Sequence, residues 1–267
     1  LMTSKNLRIF SYLPNPRLFK STIVGRICGV EIEIRGAKPN ELSEWLWDFD
    51  ARPLSIEDRQ KQNSTVLASK GFDNELFKTS EFLAAHPFGN VPAAFSPDGK
   101  TGVFESNSIM RSVARIGENT NNVYGFDAFS SSRIDSFLDS SLVFACDSQA
   151  YLLSLMKDTL TVDIYNSVAS AFTLWLNGVE RALSNHKYLS SDYLTLADVC
   201  FACEIALLYN EKYYKDQLEN CKLDLLVNPK NYEQFPRSWR HFEKLVEHPD
   251  FQPDLGPYLR KLEDLGK

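Results

Sequence analysis

The chain has 267 residues, of which 43% are hydrophobic and 24% are charged, enough for one or two globular domains with full cores. Its net charge of −6 argues against direct binding of nucleic acid, and no apolar run approaches the roughly 20 residues of a membrane span. The five cysteines are an odd number at irregular spacing, which is typical of a reducing, cytoplasmic compartment.

The N-terminal residues have the pattern of a strand, a helix and a second strand. Residues 7–12 alternate weakly and predict a strand, and the hydrophobic spacing of 17–28 predicts a helix that ends at Gly29. Residues 30–35 alternate strictly and predict the second strand. This order predicts a βαβ unit with a right-handed crossover.

The stretch from about residue 36 to 72 interrupts this pattern. It places Trp45 and Trp47 among acidic residues, and Arg52-Pro53 breaks it. We expect an insertion that packs its aromatic residues on the surface of the domain. A lid or a partner-docking patch beside a ligand site is the alternative.

Residues 81–112 predict a short helix ending near Pro87, then a β-hairpin, then a new helix. The hairpin strands are expected at 93–95 and 101–104, because the Asp-Gly pair between them suits a tight turn. The new helix is expected to begin at Ser106.

Two features of this hairpin predict a ligand site. Pro92 immediately precedes a strand, and a cis bond there would leave the backbone groups of Val91 available to a ligand. The Ser106 hydroxyl and the N–H groups of the helix's first turn favour an anion. Together they predict a site for a small, anionic, peptide-like ligand.

The remainder of the chain predicts helices. Residues 117–125 are rich in Asn and Gly and predict an interdomain linker. The amphipathic stretches 130–155 and 161–185 need partners, so residues 126–267 predict a helical bundle.

Thr195 and Asp198 have the spacing of a capping box before an almost wholly apolar run. We expect a structural role, and replacing Asp198 with Ala should cost about 1–2 kcal/mol. Cys200 and Cys203 lie inside this run and predict buried thiols rather than a redox motif. The four histidines have no ligand spacing, so no metal site is expected.

This layout resembles the glutathione transferase superfamily. The resemblance implies an α/β thioredoxin-like N-terminal domain, residues 1–116, which binds glutathione and carries the insertion at about 36–72. A linker over 117–125 and an all-α helical-bundle domain over 126–267 would follow.

Within the superfamily the chain is most similar to the N-terminal transferase-like domain of the gamma subunit of eukaryotic translation elongation factor 1. The matching segments are Glu81-Phe82-Leu83, Val103 to Ile109, Phe235-Pro236, Arg240-His241-Phe242 and Pro249-Asp250-Phe251. The family usually has Trp at the position of His241.

The resemblance implies two alternative functions. One is a scaffold in the elongation factor complex that would form a homodimer or dock other elongation factor 1 subunits, with possible glutathione binding. The homodimer would pair the 93–116 region with the first helices of the second domain. The other is an active cytosolic glutathione S-transferase that conjugates the glutathione thiolate to small electrophiles.

The resemblance also assigns site residues. Val91 and Pro92 would pair with the cysteinyl unit of glutathione, and Glu105 with Ser106 would hold its γ-glutamyl end. Asn90 stands where transferases often carry a Lys or Gln for the glycyl carboxylate.

The thiol-activating group of a transferase follows the first strand. The candidates here are Tyr12, Asn15 and Arg17. Each also has a structural interpretation, as a strand-end aromatic, a turn residue and a surface charge respectively. A serine-type mechanism is not expected, because Leu13 and Pro14 stand where the Ser would fall.

Overall fold

A computed structural model describes four ranges of the chain: 7–60, 65–67, 75–117 and 122–264. The chain divides into two compact units, residues 1–118 and residues 119–267.

Unit 1 mixes strands and helices. Its elements in chain order are β1 (Leu7–Tyr12), α1 (Pro16–Cys28), β2 (Ile32–Ala37), a 3₁₀ helix (Pro39–Glu44), β3 (Trp45–Trp47), β4 (Arg52–Pro53), α2 (Ile56–Gln60), β5 (Thr65–Leu67), β6 (Glu75–Lys78), α3 (Ser80–Ala85), β7 (Ala93–Phe95), β8 (Gly102–Val103) and α4 (Ser106–Ile116).

The first sheet has the strand order β2-β1-β7-β8. β1 runs parallel to β2 and antiparallel to β7, and β7 runs antiparallel to β8. Helix α1 ends at Gly29, whose φ of 67° is the left-handed conformation that glycine adopts without a steric penalty. The βαβ unit and the hairpin are therefore confirmed, although β2 begins two residues later than predicted.

The insertion forms a second four-stranded sheet, with the order β4-β3-β6-β5. Its strands have only two to four residues each, and the pair β3–β6 is parallel. The prediction that its aromatic side chains pack on the domain surface is wrong for Trp47, which is only 1% exposed. Its indole N–H donates to the backbone oxygen of Leu42 at 3.0 Å.

One aromatic cluster joins the two sheets. Phe10 of the first sheet meets Trp47 of the second edge to face at 5.2 Å between ring centroids, and Phe82 of α3 meets the same indole at 5.8 Å. The buried members of this cluster are Phe10, Leu42, Trp47, Ala51, Leu76, Phe82, Ala93 and Phe95. The insertion thus supplies part of the core, because burial of such aromatic surface is a main source of stability.

All of the regular secondary structure in the described residues of unit 2 is helical. Its elements are α5 (Ala128–Met156), α6 (Val162–Asn185), α7 (Leu196–Leu208), a 3₁₀ helix (Tyr209–Tyr214), α8 (Lys215–Asn220), α9 (Pro229–Gln234), α10 (Pro236–Val246) and α11 (Gln252–Glu263). Every residue of α7 is buried, and α5, α10 and α11 pack against it. An apolar helix with no polar face requires this central position.

Part of the predicted linker belongs to unit 2. Val123 is buried, and its backbone oxygen accepts a hydrogen bond from the N–H of Leu196 at 2.9 Å. Residues 118–121 of that linker lie outside the described residues.

Candidate ligand site at one edge of the first sheet

Three segments of unit 1 end at the same edge of the first sheet. β7 pairs antiparallel with both β8 and β1, so the ends of those strands, at Val103 and Tyr12, lie beside the start of β7 at Ala93. Val91 directly precedes that start, and Ser106 follows the end of β8 by three residues. The pairing of β1, β7 and β8 therefore brings together residues that are widely separated in the sequence.

The segment before β7 has the backbone geometry that the sequence predicts. The Val91–Pro92 peptide bond is cis, and Pro92 is buried while Val91 is half-buried. In the described part of the chain, no hydrogen bond joins the backbone N–H or C=O of Val91 to another residue. Both groups are available to an extended peptide, which could pair with them as a strand would.

The N-terminus of α4 forms the second part of the site. Glu105 is its N-cap residue, is exposed, and makes no side-chain capping hydrogen bond. Its φ of 67° is unusual for a residue with a side chain. The first-turn N–H groups of a helix have no partner within the helix and carry the positive end of its dipole. This end of the site is suited to a carboxylate.

A buried lysine, whose role was not predicted from the sequence, supports the same helix end. Lys20 of α1 is 1% exposed. Its ammonium donates to Asn107 Oδ1 at 2.8 Å and to Ser106 Oγ at 3.1 Å. The available signal was a lysine within the apolar face of α1, but its partners lie more than 80 positions away in the sequence.

Asn15 is the N-cap of α1. Its Oδ1 accepts from the N–H of Arg17 at 2.9 Å, and its Nδ2 donates to Ser11 Oγ at 3.0 Å. The side chain is 1% exposed and uses both ends of its amide within the fold. This geometry supports the structural interpretation of Asn15.

Tyr12 and Arg17 are both half-buried. Tyr12 packs against the aromatic cluster and lies at the same sheet edge as Val91. Arg17 lies in the first turn of α1. Among the predicted thiol-activating residues, Tyr12 thus combines a phenolic hydroxyl with a position at the end of β1 that lies beside the start of β7.

A second buried lysine fixes the chain just before Val91. Lys78 is 5% exposed, and its ammonium donates to the backbone oxygen of Gly89 at 2.9 Å. It also lies 5.0 Å from the ring of Trp47, within cation–π range. Burial lowers the pKa of Lys78. Asn90, the next residue after Gly89, is exposed beside the site.

His86 lies beneath the hairpin and was not singled out by the sequence. It is 1% exposed and packs against Phe82, Phe95 and Phe104. Neither ring nitrogen has a partner at hydrogen-bonding geometry among the described residues. Burial lowers the pKa of His86 to about 4, and the nearby Ala94 backbone offsets only part of that shift. The ring is therefore neutral at physiological pH.

The capping box of unit 2 is present as predicted. Asp198 Oδ2 accepts from the N–H of Thr195 at 2.9 Å, at the start of α7. Cys200 and Cys203 are both fully buried thiols, as predicted.

Neither a metal-binding cluster nor a membrane-spanning helix occurs among the described residues. No group of three or more His, Cys, Asp or Glu side chains there is arranged to hold a metal ion. No helix in those ranges combines the length and the apolar character that a membrane crossing requires.

Known proteins are similar to this chain in sequence and in fold. No protein-family model matches the chain. Elongation factor 1-gamma of Prunus avium is 27% identical over 184 residues, which is 67% of this chain and 39% of that protein. The glutathione S-transferase-like protein FUS3 of Gibberella fujikuroi is 30% identical over 156 residues, which is 56% of this chain and 72% of that protein.

A solved structure shows the same fold. Glutathione S-transferase-I bound with the ligand lactoylglutathione superposes with a TM-score of 0.60 at 16% identity, covering 94% of this chain and 99% of that one. The chain spans about 40% of the length of the plant elongation factor 1-gamma proteins that it matches. The α/β unit followed by a helical unit is the glutathione transferase fold, and the chain belongs to the glutathione transferase superfamily, close to elongation factor 1-gamma.

Proposed function

We propose that this chain is a glutathione-binding module of the transferase fold that serves as a scaffold in a translation elongation factor 1 complex. The observation that carries the proposal is the similarity to elongation factor 1-gamma over two thirds of the chain. Because the chain spans well under half of those proteins, the role concerns only the part that it matches. We place the module in the cytoplasm, where its five cysteines would stay reduced.

The geometry of the sheet edge supports glutathione as the ligand. The cysteinyl unit of the tripeptide would pair with the N–H and C=O of Val91 beside the cis Pro92. The γ-glutamyl end would lie against Ser106 and Glu105, with its carboxylate at the α4 N-terminus and its amino group near the Glu105 carboxylate. Asn90 would face the glycyl end with a short neutral side chain. Because this side chain carries no positive charge, we expect it to bind the glycyl carboxylate more weakly than a lysine would.

A second candidate function is catalysis of glutathione conjugation. The similarity to a transferase-like protein and the position of Tyr12 favour it. A phenolic hydroxyl that donates to the glutathione sulfur stabilises the thiolate, which is the attacking nucleophile. Asn15 is committed to capping α1, so Tyr12 is the group that we assign to this step.

One set of measurements separates the two functions. Calorimetric titration with glutathione tests binding, and conjugation of 1-chloro-2,4-dinitrobenzene by wild type and Tyr12→Phe tests turnover. Binding without turnover, together with co-purification of the nucleotide-exchange subunits of elongation factor 1, supports the scaffold. Turnover that falls at least tenfold in Tyr12→Phe supports the enzyme. An absence of glutathione binding at millimolar concentrations contradicts the enzyme and the glutathione-binding part of the proposal, and co-purification alone then tests the scaffold.

We also propose a homodimer. Unit 2 exposes large apolar side chains on its two longest helices: Phe129 is 86% exposed, Val143 70% and Leu174 74%. We propose that these side chains belong to the dimer interface, because contiguous exposed apolar surface marks interaction sites. Light scattering should give the mass of a dimer, and Val143→Asp should shift that mass toward the monomer.

A further inference from the structure

The contact between Lys20 and Ser106 determines which hydrogen-bonding role the serine has toward a ligand. A serine hydroxyl can donate or accept, whereas a lysine ammonium can only donate. Since Lys20 Nζ donates to Ser106 Oγ at 3.1 Å, the oxygen is the acceptor in this pair. The hydroxyl hydrogen must then point away from the ammonium.

The fold offers that hydrogen no acceptor within the helix. Ser106 is the first residue of α4, so no helical carbonyl lies one turn before it to receive the bond that a serine inside a helix often makes. The preceding residues on that side belong to β8 and to the turn after it. The hydroxyl hydrogen is therefore available to a ligand that approaches the N-terminus of α4.

The lysine is itself held in place. It is 1% exposed, and Asn107 Oδ1 accepts its second hydrogen bond at 2.8 Å. Helix α1 packs along α4, which fixes the position of the ammonium relative to the first turn of α4. A long, flexible side chain that is buried and bonded twice loses most of its rotamer freedom, so its effect on Ser106 is permanent.

We propose that Lys20 is a positioning residue that fixes Ser106 as a hydrogen-bond donor, so that this end of the site selects a carboxylate on the ligand. This inference rests on the proposed glutathione site and adds a specificity rule to it. The α-carboxylate of the γ-glutamyl unit accepts from Ser106 and from the first-turn N–H groups of α4. A ligand without that carboxylate has nothing to accept the directed hydroxyl.

The test compares two ligands on each protein. They are glutathione and its analogue in which a hydrogen replaces the α-carboxylate of the γ-glutamyl unit, titrated by calorimetry. A hydrogen bond to a charged group corresponds to about tenfold or more in affinity, so wild type should prefer glutathione by at least that factor. In Lys20→Met the preference should fall to about threefold, because Ser106 is free to rotate.

The control is Arg26→Met, which removes an exposed positive charge from the same helix and should keep the wild-type preference. Ser106→Ala leaves Lys20 in place and should lose the preference as well, so the test does not depend on the folding of Lys20→Met alone. Calorimetric stoichiometry reports the folded fraction of each variant.

The outcomes are distinct. If Lys20→Met weakens both ligands by the same factor, the lysine is only structural and the inference is overturned. A full preference in Ser106→Ala overturns it as well. If wild type binds neither ligand at millimolar concentrations, the proposed function is contradicted and this inference with it.

Discussion

Asp198 and His241 form a buried pair in unit 2: His241 Nε2 lies 2.8 Å from Asp198 Oδ1. Their side chains are 0% and 4% exposed. The same Oδ1 accepts from the N–H of Leu189 at 3.0 Å, and Oδ2 accepts from the N–H of Thr195. The carboxylate thus caps α7 and also ties a loop and α10 to the start of that helix.

Because the Asp198 carboxylate accepts these several hydrogen bonds, its replacement should lower the free energy of unfolding by more than the loss of a helix cap. Asp198→Ala would leave two buried backbone N–H groups and the His241 ring without their acceptor. We expect a loss of about 3–5 kcal/mol in the free energy of unfolding, more than a helix cap alone gives. Urea unfolding measures it. Asp127→Ala, at the exposed N-cap of α5, is the control and should cost about 1 kcal/mol. Equal losses in the two variants would contradict this account.

His86 makes stability depend on pH. Its pKa is about 4 in the folded chain against 6.5 when unperturbed, so the unfolded state binds more protons between these values. The free energy of unfolding therefore falls as the pH drops from about 6.5 to 4, by up to about 3 kcal/mol. His86→Phe should remove this component. Urea unfolding at intervals between pH 7.5 and pH 4 (about one unit apart) tests it. Parallel pH profiles for wild type and variant would refute the assignment.

Trp47 should be among the costliest positions of unit 1. Trp47→Ala removes a fully buried indole and its hydrogen bond to Leu42, and we expect a loss of about 3–5 kcal/mol. Trp45 is half-buried and stacks on Phe10 at 6.2 Å, so Trp45→Ala should cost about 1–2 kcal/mol. Chemical denaturation of both variants checks the order. A loss in Trp45→Ala as large as that in Trp47→Ala would contradict the assignment of Trp47 to the core.

Glu105 combines a strained backbone with a proposed ligand contact. A residue with a side chain at φ 67° costs about 1–3 kcal/mol, and glycine avoids most of that cost. Glu105→Gly should therefore raise the free energy of unfolding by about 1 kcal/mol while weakening glutathione binding. Glu105→Ala is the matched control: it removes the same carboxylate but keeps the strain. Only the glycine variant should be more stable, and a stability gain in both would exclude backbone strain as the cause.

Local signals explain what the sequence predicted well. The turn at Asp98-Gly99, the left-handed Gly29 and the Thr195–Asp198 box each depend on residues within a few positions of one another. Such contacts are specified by backbone preferences and short-range hydrogen bonds, so their residue types are informative on their own.

Non-local contacts explain what the sequence missed. The second sheet has strands too short for a clear period of two, and its central pair joins Leu46 to Phe77 across 30 intervening residues. Lys20 and its partner Ser106 likewise meet only because α1 packs on α4. No pattern within one segment identifies such a pair, since the tertiary fold determines which residues meet.

The positions of the tryptophans allow fluorescence to follow the unfolding of each unit separately. The chain has four: Trp45 and Trp47 belong to unit 1, and Trp175 and Trp239 to unit 2. Replacing one pair with phenylalanine leaves indole fluorescence that reports on the other unit alone. Whether the units unfold in one transition or two can then be read from the emission of two complementary variants, without separating the units by proteolysis.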